Sequence, residues 1–213
     1  KIKSKLIFVF HNNPKEMRGS TTIKERLFIA RNTTQIYFVS NWVKEKFFEG
    51  LPYKNRNNCE ILYPGIKPLR AFPKKQKLII FCGKLNSSKG YDIFGSAILK
   101  ILDKFKDWKA IAIGNEPREQ YSFLHKNYKV LDWIQHKKIL EYYSKASISV
   151  VPSRWLEPFG RTAMESAAHG CATITSKNGG LPETFDNDLF LDEISSNEIY
   201  RLILKLVKNR KLR

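Results

Sequence analysis

The stretch Glu157-Pro158-Phe159-Gly160-Arg161-Thr162-Ala163-Met164-Glu165 sets two glutamates on either side of a turn and a helix start. Upstream, Ile148 to Val151 is a short apolar run of strand character, closed by Pro152-Ser153. From Thr162 the pattern turns helical through Ala163, Met164, Glu165, Ser166, Ala167 and Ala168. Pro158 and Gly160 beside that start predict a turn whose first backbone N–H groups lack intrahelical partners. Such an end carries partial positive charge and suits an anion or a polar ligand. Glu157 lies just before it and Glu165 about one turn inside, so both can serve one cleft in different roles. Glu165 alone is explained equally well by the helix dipole. Only the whole string sets it apart.

A second segment has the same layout. Leu78-Ile79-Ile80-Phe81 is an apolar run ended by Cys82-Gly83, and Lys84-Leu85-Asn86-Ser87-Ser88-Lys89-Gly90 follows as a polar loop. Ile93 to Leu102 then reads as an apolar-periodic helix. Strand, lysine-bearing loop and helix suit a diphosphate, whose charge backbone donors and two ammonium groups would offset. Lysines in polar loops are more often simply solvated, so this segment gains its weight from the first.

Taken together, Val151-Pro152-Ser153, Glu157-Pro158-Phe159-Gly160, Glu165, Gly170 and Gly179-Gly180-Leu181-Pro182-Glu183 closely resemble the donor-site signature of glycosyltransferase family 4. The resemblance implies an α/β chain of the two-domain GT-B fold and a hexosyltransferase-type enzyme that retains anomeric configuration. It also implies a UDP- or GDP-sugar donor, with no separate cofactor and no metal. Carried over residue by residue, Lys84 and Lys89 beside Gly83 neutralise the donor diphosphate. Arg is commoner at the first of these places, and Lys84 keeps the charge without the bidentate fork. Glu157 binds hydroxyls of the transferred sugar, and backbone N–H groups around Phe159, Gly160, Arg161 and Thr162 support sugar and phosphate. Glu165 takes the two ribose hydroxyls, a bidentate task for a carboxylate. Gly114, Trp133 and Ile134 border the base. His11, after its strand, matches a cleft histidine that contacts the donor sugar; with Glu157, Lys84 and Lys89 it completes the expected catalytic set. His169, before Gly170 at a helix end, reads as structural.

Element order agrees with this reading. Strands are expected at Lys5–Phe10, Gln35–Val39 and Glu60–Tyr63, with helices over Thr21–Ala30 and from a Ser40 cap to about Phe48. Lys67 to Lys77, with Pro68 and Pro73, looks like a linker. Beyond it strand and helix alternate: Leu78–Cys82, Ile93–Leu102, Lys109–Ile113, Arg118–Lys126, Lys129–Leu131, Lys137–Ser144, Ile148–Val151, Gly160–His169 and Ala172–Thr175. That alternation predicts a parallel doubly wound sheet with ligands at the carboxyl ends of its strands. By resemblance, residues 1–68 are the C-terminal part of an acceptor-side domain plus the linker start, and 69–213 a donor-side domain complete or nearly so. The chain opens at Lys1 inside a strand-like pattern and is expected to be an N-terminally truncated piece of a longer protein, ending short of a helix that packs back across the domains.

Composition narrows the rest. The 213 residues are 42% hydrophobic, ample for a buried core. Cys59, Cys82 and Cys171 are sparse, odd in number and without metal-ligand spacing, which predicts buried thiols in a reducing compartment. No apolar run reaches membrane-spanning length, so a cytoplasmic location is expected, with the inner face of the plasma membrane left open. With 38 Lys+Arg against 20 Asp+Glu, the formal charge is +18. No dense basic block points to nucleic acid. An anionic membrane suits the charge better, through Lys44, Lys46, Phe47 and Phe48 on one helix, although a solvated lysine-rich surface explains it as well. Phe10-His11-Asn12-Asn13-Pro14 and Phe38-Val39-Ser40-Asn41-Trp42-Val43 are similar to bacterial lipopolysaccharide and surface-polysaccharide glycosyltransferases, implying glycan or lipid-linked acceptors. Three alternatives stay open: a sugar-nucleotide binder without turnover, a binder of anionic surfaces or nucleic acid, and, more weakly, a glycosidase using paired carboxylates.

Overall fold

The computed structural model describes residues 5–52, 57–67, 69, 73–186 and 188–213. Two compact units share the chain: Lys1–Gly65 with Glu157–Phe159, and Ile66–Leu156 with Gly160–Arg213.

In the first unit, β1 (Ile7–Phe10), α1 (Ile23–Asn32), β2 (Gln35–Phe38), α2 (Asn41–Phe48) and β3 (Cys59–Ile61) follow in order. The strands form a parallel sheet in the order β1-β2-β3. Parallel neighbours need crossovers, and the two helices supply them. Thr22 and Glu25 close a capping box at the head of α1, and Ser40 Oγ accepts from Val43 N at the head of α2. Phe10, Phe38, Phe47 and Phe48 interlock with ring centroids 5.0–6.2 Å apart. Burial of Phe47 and Phe48 in this core overturns the lipid-facing α2 expected from sequence. Its lysines are also engaged, Lys44 with the Cys59 carbonyl and Lys46 with Glu49. The buried Arg26 guanidinium donates to the carbonyls of Ser20, Thr21, Phe47 and Glu49 at 2.8–3.1 Å, tying α1 to the end of α2.

The second unit continues with β4 (Gln76–Cys82), α3 (Tyr91–Lys104), β5 (Lys109–Ile113), β6 (Tyr128–Leu131), α4 (His136–Lys145), β7 (Ala146–Val151), α5 (Arg161–Ala168), β8 (Ala172–Thr175) and α6 (Ser196–Lys208). All five strands are parallel, in the order β6-β5-β4-β7-β8. Alternate strand residues feed opposite faces. Ile79, Phe81, Ala110, Ala112, Ile148 and Val150 pack under α3 and α6. Ile80, Cys82, Ile111 and Ile113 pack with Ile139 and Tyr143 of α4. This is the doubly wound sheet the alternation predicts.

Several boundaries differ from expectation, most by a residue or two. β1 begins at Ile7 and β3 runs from Cys59 to Ile61, each displaced by a residue or two from the pattern. Lys77 belongs to β4, so the linker ends earlier; Pro68 and residues 70–72 of it lie outside the described residues. Residues 118–126 form no helix. Arg118 folds back onto Glu116, the Glu119 carboxylate accepts from Ser87 N, and the Tyr121 and Phe123 rings stack together against Tyr91. Rings two residues apart on one side require extended spacing, which a helix cannot give. Conversely, α6 was not anticipated, although Ser195 caps it through Glu198 N, and Ile199, Leu202, Ile203 and Leu206 bury its apolar stripe. All three cysteines are buried free thiols, and burial pushes Cys82 and Cys171 up to about 11. His169 is likewise buried, donating from Nδ1 to the Glu165 carbonyl at 2.7 Å.

Candidate functional site

Strand order in the second unit reverses between β4 and β7, and the crevice beyond the carboxyl ends of such a pair is where open α/β sheets bind ligands. Both sequence motifs leave the sheet at that point. Ser87–Lys89 form a short 3₁₀ turn capped by Asn86, whose Oδ1 accepts from Lys89 N at 3.0 Å. The loop after β7 is bound to this turn. Arg154 N and Trp155 N both donate to the Ser88 carbonyl, at 2.9 and 3.0 Å, and the Arg154 guanidinium pairs with Asp92 of α3. Gly90, at φ +75°, makes the approach possible, since a Cβ there would lie 2.2 Å from the Pro152 carbonyl oxygen.

Lys84 is exposed, whereas the Lys89 ammonium sits 4.0 Å over the Trp155 ring. Behind the turn lies Glu116, a nearly buried carboxylate that neither motif includes. Arg118 hydrogen bonds, with smaller help from the charges of Arg118 and Lys84, hold it at about 2 against an ordinary 4.5. A depressed carboxylate contributes stability that is present above pH 4.5 and lost as the pH falls through about 2. Glu116→Gln is therefore expected to lose less thermal stability than the parent between about pH 5 and pH 2, as scanning calorimetry at stepped pH would show. The exposed Arg118 partner keeps that difference modest.

Gly160, at φ +107°, starts α5 without a side-chain cap. Leu181, from the Gly179-Gly180-Leu181-Pro182-Glu183 motif, closes over it: a Cβ on Gly160 would lie 2.4 Å from Leu181 Cδ2. The first amides of α5, at Arg161 and Thr162, take no backbone partner among the described residues. Glu165, on the second turn, is 6% exposed. Its Oε1 meets His136 Nε2 at 3.0 Å and Arg161 Nη2 at 3.2 Å.

Gly83 and Gly114 end neighbouring strands in direct contact, and Trp133, half exposed, lies beside Gly114. Asp132 Oδ1 accepts from Trp133 N, while Ile134 turns toward the apolar cluster under α4. The second unit thus gathers Gly83, Lys84, Lys89, Gly114, Trp133, Ile134, Gly160, Arg161, Thr162 and Glu165 around the carboxyl ends of its strands. His11, exposed after β1, belongs to the first unit together with half-buried Glu157 and buried Phe159. There Ser40 Oγ donates to the Pro158 carbonyl at 2.5 Å, and Tyr63 packs on Phe159 with centroids 5.9 Å apart. Sequence reasoning missed His136, Asn86 and Glu116. A polar residue opening a helix or following a strand carries no local signal of what it will meet.

Chemically, the gathered groups can take a diphosphate, a diol and an aromatic base. Residues 66–213 match the family described as Glycosyl transferases group 1. Among curated proteins, an uncharacterized 42.6 kDa protein in the cps region of Klebsiella pneumoniae is 28% identical over 176 residues, 78% of this chain and 45% of the relative. The 2-deoxystreptamine N-acetyl-D-glucosaminyltransferase of Niallia circulans is 27% identical over 117 residues, 52% of this chain and 30% of the relative. The chain spans half or less of the length of these relatives. Anabaena Alr3699/HepE, crystallised with UDP and glucose, superposes with a TM-score of 0.78 at 15% identity, over 98% of this chain and 63% of that one. The C-terminal domain of a Francisella tularensis group 1 glycosyl transferase, LpcC, gives 0.57 at 28% identity over 65% of this chain and 79% of that one. The fold class is α/β of the GT-B type. With the family match covering well over half of its residues, the chain belongs to the group 1 glycosyl transferases.

Proposed function

We propose that the chain carries the donor-binding part of a retaining, metal-independent glycosyltransferase of family 4. It moves a sugar from a UDP- or GDP-sugar to a hydroxyl of a glycan or lipid-linked acceptor, in cell-surface polysaccharide or lipopolysaccharide synthesis. The second unit is the donor-side domain and the first the C-terminal part of an acceptor-side domain. The observation that supports this reading is the pairing of two turns at the strand-order reversal, where the loop bearing Lys84 and Lys89 is hydrogen-bonded to the loop that follows β7. The relatives support the class: the Anabaena protein holds UDP and glucose, the Niallia protein is named for N-acetylglucosaminyl transfer, and the Klebsiella gene lies in a cps region.

In this mechanism the donor diphosphate leaves from the face that the acceptor hydroxyl attacks. Rate then depends on stabilising the departing charge and holding the acceptor in line. Lys84, Lys89 and the α5 amides take the first task. Trp133 offers its exposed face to the base beside Gly114 and the Ile134 backbone. Glu165 holds the ribose; Glu157 and His11 are assigned to the transferred sugar by resemblance alone. A cytoplasmic enzyme at the inner membrane face follows from lipid-linked acceptors, with the charge of +18 favouring anionic lipid. No described helix is long and apolar enough to cross a membrane.

Titration calorimetry with UDP, GDP and ADP tests the reading. One nucleotide is expected to bind saturably, and Glu165→Ala to weaken it about tenfold or more. A folded sample that binds none of the three sinks the donor-site assignment for this chain.

A further inference from the structure

We propose that His136 is a positioning residue of the nucleotide site, turning the Glu165 carboxylate so that Oε2 alone receives both ribose hydroxyls. This rests on the reading of Glu165 as the ribose-binding group. The sequence suggested a carboxylate with each oxygen taking one hydroxyl. The geometry points elsewhere. Each carboxylate oxygen accepts about two hydrogen bonds. Oε1 already has two donors, His136 Nε2 at 3.0 Å from the first residue of α4 and Arg161 Nη2 at 3.2 Å from the first residue of α5. Oε2 takes no hydrogen bond among the described residues. Nor is it among the buried polar atoms sealed away without a partner, so it keeps access to solvent.

The two anchors differ in kind. Arg161 reaches Glu165 from one turn earlier on the same helix, a pairing that helical spacing supplies anyway. His136 arrives from another helix, 29 residues away, and only Gln135 separates it from the Asp132-Trp133-Ile134 segment. It therefore ties the carboxylate to the loop that carries the proposed base contacts. Ribose and base are covalently joined, so a ligand touching both needs these elements at a set separation. A histidine spanning them fixes it before the ligand arrives, and preorganisation of that kind reduces the entropic cost of binding. The Glu165 side chain is only 7% exposed, with Oε2 as its open edge, which leaves its orientation to the anchors on Oε1.

The test uses the full 213-residue chain with UDP and GDP, each beside its 2′,3′-dideoxy counterpart, and the variants His136→Ala, His136→Gln and Glu165→Ala. His136→Ala is expected to lose about tenfold in affinity for the ribonucleotide and little for the dideoxy form. His136→Gln retains an N–H donor and is expected to recover most of that loss. An equal loss for both ligands in His136→Ala would mark a purely structural role and overturn the proposal. So would unchanged affinity in His136→Ala while Glu165→Ala loses binding, an outcome that leaves the ribose reading intact. Unchanged affinity in Glu165→Ala overturns the ribose reading itself, and the role of His136 with it.

Discussion

Removing both ammonium groups, Lys84→Ala with Lys89→Ala, is expected to lower nucleoside-diphosphate affinity by about 100-fold or more and leave the parent nucleoside unaffected. The estimate follows from charge-assisted hydrogen bonds worth about 1.5–3 kcal/mol each, so that each lysine accounts for roughly ten- to hundredfold. The two are not equivalent. Lys84 is a solvated point charge, and raised salt screens it. Lys89 is placed: Asn86 holds its amide, Trp155 lies beneath its ammonium, and the Trp155 amide is bonded to the same turn. Lys89→Ala is thus expected to cost more than Lys84→Ala at high ionic strength, and the two losses to converge at low. Titration calorimetry of the three variants at two salt concentrations measures this. Equal loss of nucleoside and nucleoside diphosphate would remove the lysines from phosphate binding.

The second large effect concerns the floor of the site. Gly114→Ala is expected to destabilise the second unit by about 3–5 kcal/mol, from overpacking and a φ that L side chains rarely adopt. The φ is +148°, and an added Cβ would stand 1.8 Å from the Gly83 carbonyl oxygen, which belongs to the adjoining strand end and cannot rotate away. At that cost the melting temperature falls by roughly 6–20 °C. Gly19→Ala is the control: its φ is also positive, at +88°, but nothing lies within 4 Å of the added methyl. Its loss should be about 1–2 kcal/mol, the backbone cost alone. Calorimetric melts that fall equally in both variants would show that the Gly83–Gly114 contact bears no particular load.

Much of this architecture was legible along the chain because its signals are local. Apolar runs such as Leu78–Cys82 and Ile148–Val151 feed both faces of a sheet and read as buried strands. Ser40 capped its helix where hydroxyl chemistry places it. Gly160 and Glu165 stood out because their positions relative to one helix start depend on a few adjacent residues. Apart from α6, whose cap and apolar stripe lie within one short window, the failures were non-local. A helix was expected over Arg118–Lys126, but its side chains found Glu116, Ser87 and Tyr91 instead. Phe47 and Phe48 looked like a lipid-facing surface until Phe10 and Phe38 were seen to cover them.

By itself, then, the sequence determined the kind and order of most elements, the crossover helices and the two loops that leave the sheet after β4 and β7. Backbone propensity, capping and burial period act within a few residues. Tertiary structure alone decided the strand order β6-β5-β4-β7-β8, which joins loops 65 and more residues apart. It alone also brought His136 to Glu165 and Trp155 under Lys89. Such meetings are chosen by burial of whole faces against one another, and no short window of sequence contains both partners.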